Sequence, residues 1–142
     1  MLEARHGLQA SHEAAQSLGA APETGALFAA GFAPKGVRRG RFAIPIHDRT
    51  GTLLAYCGRA LKDESPSLIF PSGFNPRGAI FNAHRVVEDD LFLVRDPLQV
   101  LTAHQNGIEN VVAFLTENVT ALQLEQLAAL MDERKCEHLE MF

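Results

Sequence analysis

Arg41-Phe-Ala-Ile-Pro-Ile-His-Asp-Arg-Thr-Gly51, continued by Thr52 and Leu53-Leu-Ala-Tyr-Cys57, is the stretch on which the reading of the fold turns. Residues 41–46 and 53–57 are β-type runs, and between them Asp48-Arg-Thr-Gly51 places an Asp and a Gly at the ends of a turn cluster. The segment predicts a β-hairpin. Toward the N-terminus, residues 10–18 and 24–30 are Ala-rich and weakly periodic. Each precedes a glycine, Gly19 or Gly31, placed where a helix closes in a left-handed residue, so two short helices are expected. Toward the C-terminus, residues 67–71 predict a third strand, and Ser72-Gly-Phe-Asn-Pro-Arg-Gly78 predicts a loop.

The last third of the chain changes period. Leu91-Phe-Leu-Val94 is a continuous apolar run of strand length, followed by Asp96-Pro97, an N-cap acid and a first-turn proline. A helix is expected from 97 to about 106, with Gly107 closing it. Val111-Val-Ala-Phe-Leu115 reads as a second buried strand. Thr120-Ala-Leu-Gln123 matches a capping box that opens the apolar-faced segment 122–131, and His138-Leu-Glu-Met-Phe142 suits a final strand. Strands alternating with helices over short connections predict parallel pairing under right-handed crossovers. The acidic Glu88-Asp-Asp90 marks the expected seam, giving units 1–87 and 88–142. No internal repeat or low-complexity tract is present.

With 142 residues, 46% hydrophobic and 21% charged, the composition is that of a globular protein with one well-formed core, which excludes disorder and a disulfide mini-fold. Cys57 and Cys136 lie far apart without a CxxC pair, so a reduced, cytoplasmic setting is the simplest expectation. No stretch reaches the roughly 18 apolar residues that span a bilayer, and no membrane partner is expected. The net charge of −4 argues against coating nucleic acid with the whole surface. The charge is polarised, however. Lys35, Arg38, Arg39, Arg41, Arg49 and Arg59 stand against Asp48 alone, giving +5 over residues 35–59, whereas residues 117–142 carry −4. Cations presented from a hairpin hold phosphates by charge-assisted hydrogen bonds, and Arg77, His84 and Arg85 extend the same series; a solvated hairpin without a ligand fits the charges equally well. Phe70 and Phe74 are the aromatic patch available for base stacking, so sequence preference is expected to be weak.

Other chemistries find little support. The six histidines show no HExxH and no tight cluster, and Gly36-Val-Arg-Arg-Gly40 and Gly73-Phe-Asn-Pro-Arg-Gly78 match neither the P-loop nor the dinucleotide fingerprint. Cys57 sits in an apolar run, as a small buried side chain would, and the sequence shows no obvious Ser-His-Asp or Cys-His arrangement to activate it.

The hairpin, followed by Gly58-Arg59, resembles the core motif of bacterial DnaG-type replicative primases and their plasmid and phage relatives, in which an arginine-led "PI-D-x-x-G" hairpin precedes "GR". Residues 28–34, Pro71-Ser-Gly-Phe-Asn75 and Phe81-Asn82 look like further segments of that family. Residues 91–115 are similar to the opening strand-helix-strand of the topoisomerase–primase (Toprim) domain. The resemblance covers residues from about 20 to 142. It implies an α+β fold: a basic N-terminal α/β subdomain with a β-hairpin, then a partial Toprim-like βαβαβ parallel sheet.

The departures concern the acids. Where the family's first Toprim strand ends in a metal-binding glutamate, with glycine after it and aspartate four residues on, this chain has Arg95, Asp96 and Gln99. The later Asp-x-Asp is missing as the sequence stops at Phe142, Thr116-Glu117 replaces the family's "GT", and Ser72 replaces a lysine. An arginine side chain repels magnesium rather than ligating it, so the magnesium site is expected to be lost and no cofactor is expected. The resemblance thus implies a primase-like module for DNA replication that binds single-stranded nucleic acid or a nucleotide phosphate and, as this chain alone, performs no nucleotidyl transfer. The candidate binding residues are Lys35, Arg38, Arg39, Arg41, Arg59, Arg77, Arg85 and Arg95. Arg95 has two readings, a phosphate ligand or a structural ion pair with Asp96 or Glu117. The alternatives are a domain of a longer primase or primase-helicase, and a protein–protein module, either a homodimer formed through a sheet edge or an adaptor for a replication protein.

Overall fold

A computed structural model describes residue 9 and residues 18–33, 40–61 and 66–142. The expected helix over 10–18 lies almost wholly outside the described residues. The described elements are α1 (Pro22–Leu27), β1 (Gly31–Ala33), β2 (Arg41–His47), β3 (Leu53–Arg59), β4 (Leu68–Ile69), β5 (Ile80–Phe81), β6 (Leu91–Val94), α2 (Pro97–Gln105), β7 (Val111–Phe114), α3 (Ala121–Arg134) and β8 (Leu139–Met141). Two compact units emerge, Met1–Ile46 with Leu54–Phe74 and His47–Leu53 with Asn75–Phe142. The strands form two four-stranded sheets, β1-β2-β3-β4 and β5-β7-β6-β8.

The first sheet is antiparallel and built around the expected hairpin. Asp48 fixes the turn: its Oδ1 accepts from Thr50 N at 2.9 Å, Thr50 Oγ1 at 2.7 Å and Thr52 N at 3.0 Å. Gly51 supplies φ +93°, a conformation that costs a residue without Cβ nothing. Those hydrogen bonds, Thr50's hydroxyl first and Thr52's amide next, hold the Asp48 carboxyl below its ordinary pKa. Strand β2 tolerates Pro45 for a topological reason. Phe32 of β1 exchanges its backbone bonds with Gln9 at 2.9 and 3.0 Å, so its neighbours Gly31 and Ala33 face β2. Their partners are Ala43 and Arg41, and by alternation residue 45 also points its nitrogen to that side. Pro45 lies past Ala43, the last residue β1 pairs, where a missing N–H breaks no ladder bond. The centre of this hairpin is fully buried through Phe42, Ile44, Ile46 and Cys57.

The helix ahead of it ends earlier than its glycine suggests. Helix α1 stops with Phe28 as C-cap, Ala29 takes the left-handed conformation at φ 56°, and Gly31 opens β1 instead.

In the second sheet β6 pairs in parallel with β7 and with β8, as the alternating order predicts. Helix α2 begins as expected: Asp96 caps it by accepting from Gln99 N at 3.0 Å, Pro97 occupies the first turn, and Gly107 at φ +91° closes it. Helix α3 opens on the expected capping box. Gln123 N donates to Thr120 Oγ1 at 3.3 Å and Thr120 N donates to Gln123 Oε1 at 2.8 Å. It continues three residues past 131 to Arg134, because Lys135 at φ 61° supplies the left-handed stop that glycine usually provides.

One expectation needs correction. The second sheet is mixed, not purely parallel, since β5 pairs antiparallel with β7 through Ile80↔Phe114 and Phe81↔Ala113. The acidic turn 88–90 lies within the second unit, which joins His47–Leu53 to Asn75–Phe142. Ile80, Ala83 and Val86 join Leu91, Val112, Phe114, Leu127 and Leu130 in one hydrophobic cluster, and burying those side chains outweighs any preference expressed by the turn. The acidic turn is instead stapled to this unit by Asn110, whose Nδ2 donates to Val87 O at 3.2 Å and Asp90 O at 3.0 Å while its Oδ1 accepts from Val87 N at 2.8 Å. Cys57 and Cys136 are both buried and form no disulfide. Among the described residues no helix is long and apolar enough to cross a membrane.

Candidate nucleic-acid interface

The candidate arginines divide into those engaged by the fold and those that are not. Arg41, at the start of β2, directs Nη1 to three carbonyls: Pro66 O at 2.9 Å, Gly58 O at 3.3 Å and Ser67 O at 3.3 Å. It thereby ties down the chain entering β4. Arg59 ends β3 directly opposite Leu68 and donates from Nη1 to Ala60 O at 2.7 Å. Lys35, Arg38 and Arg39 lie outside the described residues.

In the second unit, Arg85 is half-buried and donates to Asn82 Oδ1 at 2.8 Å. Burial lowers its pKa from the ordinary arginine value. Asn82 itself is fully buried in the left-handed conformation at φ 72° and donates from Nδ2 to Val111 O at 2.9 Å, so Arg85 completes a buried polar set.

Arg134 plays a comparable part that its sequence position did not reveal. Its Nη1 reaches Val86 O at 3.0 Å and Ala83 O at 3.2 Å, its Nη2 reaches Arg49 O at 2.8 Å, and its Nε pairs with Glu133 at 3.1 Å. Arg49, one of the basic hairpin residues, also pairs with Glu133, at 3.0 Å, on an exposed surface. Nearby, His47 and His84 bring their ring centroids to 4.6 Å. The His84 imidazole is pushed down to about 4 by burial first, then by Arg85 and His47. Its Nδ1 is buried and has no hydrogen-bond partner among the described residues.

Arg77 and Arg95 differ from all of these. Both are exposed, and among the described residues neither guanidinium makes a hydrogen bond or ion pair; their recorded bonds are made by backbone N–H groups, Arg77 N to Asn75 Oδ1 at 3.1 Å and Arg95 N to Gln99 Oε1 at 2.8 Å. The structural reading of Arg95 as a partner of Asp96 or Glu117 is therefore not realised, and Asp96 instead caps α2. Arg95 follows the C-terminal end of β6, and Arg77 sits in a 3₁₀ turn (Pro76–Gly78) just ahead of β5. Since β5 runs antiparallel to β7, the start of β5 lies beside the C-terminal end of β7. Both arginines thus flank the edge of the sheet at which parallel strands deliver their carboxyl ends, where open sheets commonly bind ligands.

An exposed guanidinium follows β6, the adjacent Asp96 is committed to a helix cap, and among the described residues no three His, Cys, Asp or Glu are grouped to hold a metal ion.

The first unit contributes the aromatic feature. Phe70 and Phe74 stack with ring centroids 5.6 Å apart and ring planes 25° from parallel. Phe74 N donates to Pro71 O at 3.2 Å across a turn whose third residue, Gly73, has φ +86°.

Comparison with known proteins places this geometry. No family model matches the chain. A DNA primase of Clostridium acetobutylicum is 31% identical over 96 residues, covering 63% of this chain and 16% of that protein. The zinc-binding and RNA polymerase domains of the Aquifex aeolicus primase superpose with a TM-score of 0.74 at 20% identity, covering 92% of this chain and 42% of that one. A DnaG primase catalytic domain bound to single-stranded DNA superposes with a TM-score of 0.72 at 19% identity, covering 99% of this chain and 59% of that one. The chain has the fold of a DnaG-type primase core. It thus spans about a sixth of the curated primase and about half of the solved cores. The primase-like fold agrees with the α+β class and the hairpin motif read from the sequence.

Proposed function

We propose that this primase-like domain binds single-stranded nucleic acid, or a nucleotide through its phosphates, by means of exposed arginines, and does so without a divalent metal at the end of β6. The observation that carries the reading is Arg95. An exposed guanidinium with no partner among the described residues stands where the family resemblance calls for a metal-binding glutamate. A cation at that edge favours a phosphate and disfavours magnesium. Arg77 offers a second open guanidinium, while Arg41, Arg59 and Arg85 act more by shaping the surface than by lending all their donors to a ligand. The likeness to a primase domain bound to single-stranded DNA supports single strands as the first ligand to try.

Fluorescence anisotropy of a labelled single-stranded oligonucleotide, with and without magnesium, tests the proposal. Binding is expected to be independent of magnesium and to weaken steeply with salt, because each phosphate contact releases counterions. The double variant Arg77→Ala, Arg95→Ala is expected to lose most of the affinity while melting like the parent. Absence of binding at low salt, or binding that requires magnesium, would overturn it.

A further inference from the structure

Four of the phenylalanines, Phe28, Phe42, Phe81 and Phe114, are buried at 4% exposure or less, as side chains of that size usually are in a core. Phe70 and Phe74 are not. Both are half-buried, yet they are held in a defined geometry: a turn closed by the Phe74 N to Pro71 O bond, with Gly73 at φ +86°, folds Phe74 back onto Phe70. A hydrophobic turn in this conformation with ring area left in water forgoes burial energy.

Its surroundings indicate what would use it. Phe70 follows β4 directly, and Leu68 of β4 is paired with Arg59, so continued alternation along the strand sets Phe70 on the face shared by Arg59 and Leu68. Arg41 pins the entry to the same strand through Pro66 O and Ser67 O, fixing the base on which the stack stands. Flat rings left partly in water suit a ligand that is itself planar and aromatic, as the bases of a single strand are.

We propose that the Phe70–Phe74 stack is a base-stacking platform that receives a nucleobase of single-stranded nucleic acid. The inference rests on the nucleic-acid reading above and adds to it the part of the ligand that is recognised. Stacking has no hydrogen-bond code, so the platform accepts any base, the larger purines best.

The test compares two labelled oligonucleotides of equal length by anisotropy, one normal and one fully abasic, which carries the same phosphates without bases. The parent protein is expected to bind the normal strand about 5- to 150-fold more tightly than the abasic one, the range that one stacked base supplies. Phe74→Ala is expected to reduce the normal strand to the abasic level while leaving the salt dependence unchanged. Phe74→Leu keeps an apolar side chain to pack the turn but has no ring face; it is expected to melt with the parent and still lose the preference for bases, which separates stacking from folding. Equal affinity for the two strands, or full base preference in Phe74→Leu, overturns the platform and leaves phosphate binding standing. No binding of either strand at low salt removes the nucleic-acid reading itself, and the platform with it.

Discussion

Arg41 and Arg95 both stand at an end of a strand, one in each unit, and their surroundings are opposite. Arg41 spends Nη1 on three carbonyls, one in β3 and two in the chain entering β4, whereas no described residue accepts from the Arg95 guanidinium. Arg134 belongs with the first and Arg77 with the second. The difference teaches that arginine content alone does not locate a binding surface. A guanidinium that satisfies carbonyls is part of the fold, and its removal strands those acceptors. An unengaged one costs the fold nothing when removed and is available to an anion.

This contrast orders the expected effects of substitution. The largest is expected for Arg134→Met, which strands Val86 O, Ala83 O and Arg49 O together and is expected to cost about 2–4 kcal/mol in urea unfolding. Arg41→Met follows at about 1–3 kcal/mol, with increased proteolysis in the segment leading to β4 as a second readout. A neutral result for either would erase the distinction between engaged and open arginines.

Acid sharpens the comparison around the engaged group. The folded pKa of His84 is depressed to about 4 from 6.5, so between those values the unfolded chain binds a proton that the folded chain refuses. The contribution of the neutral ring to stability is fully present above about pH 6.5 and is lost progressively as pH falls toward about 4. Denaturation midpoints measured across that window are expected to fall more steeply for the parent than for His84→Gln. Equal slopes would show that the ring titrates normally. The smallest change in stability belongs to Arg77→Ala and Arg95→Ala, each expected within about 0.5 kcal/mol of the parent. Each is nevertheless expected to lower the slope of log affinity against log salt by about 0.7 for a single strand. A stability loss as large as that of Arg41→Met would place them in the structural class.

Local chemistry was legible wherever a few adjacent residues decide the outcome. The Asp48–Gly51 turn, the Asp96-Pro97 helix start and the Thr120–Gln123 capping box all form as their side chains dictate. The end of α1 was misplaced because Ala29, not Gly31, takes the left-handed conformation, a cost that only surrounding packing can meet. Strand β5 was missed because two residues have no period to read, and its existence depends on β7, more than thirty positions away in sequence. At the candidate interface, residue types identified the arginines but not their state of engagement.

What the amino-acid sequence by itself determined, then, was the hairpin, the alternation of strands and helices after residue 90 and the polarity of charge. Tertiary structure alone decided that the second sheet is mixed, that Arg41, Arg85 and Arg134 serve the fold, and that the Arg77 and Arg95 guanidiniums have no partner among the described residues. The physical reason is range. Caps and turns are set by hydrogen bonds between near neighbours, whereas a guanidinium at the end of a long flexible side chain takes whichever carbonyls the packed chain brings within 3 Å or so, and those come from positions far apart in sequence.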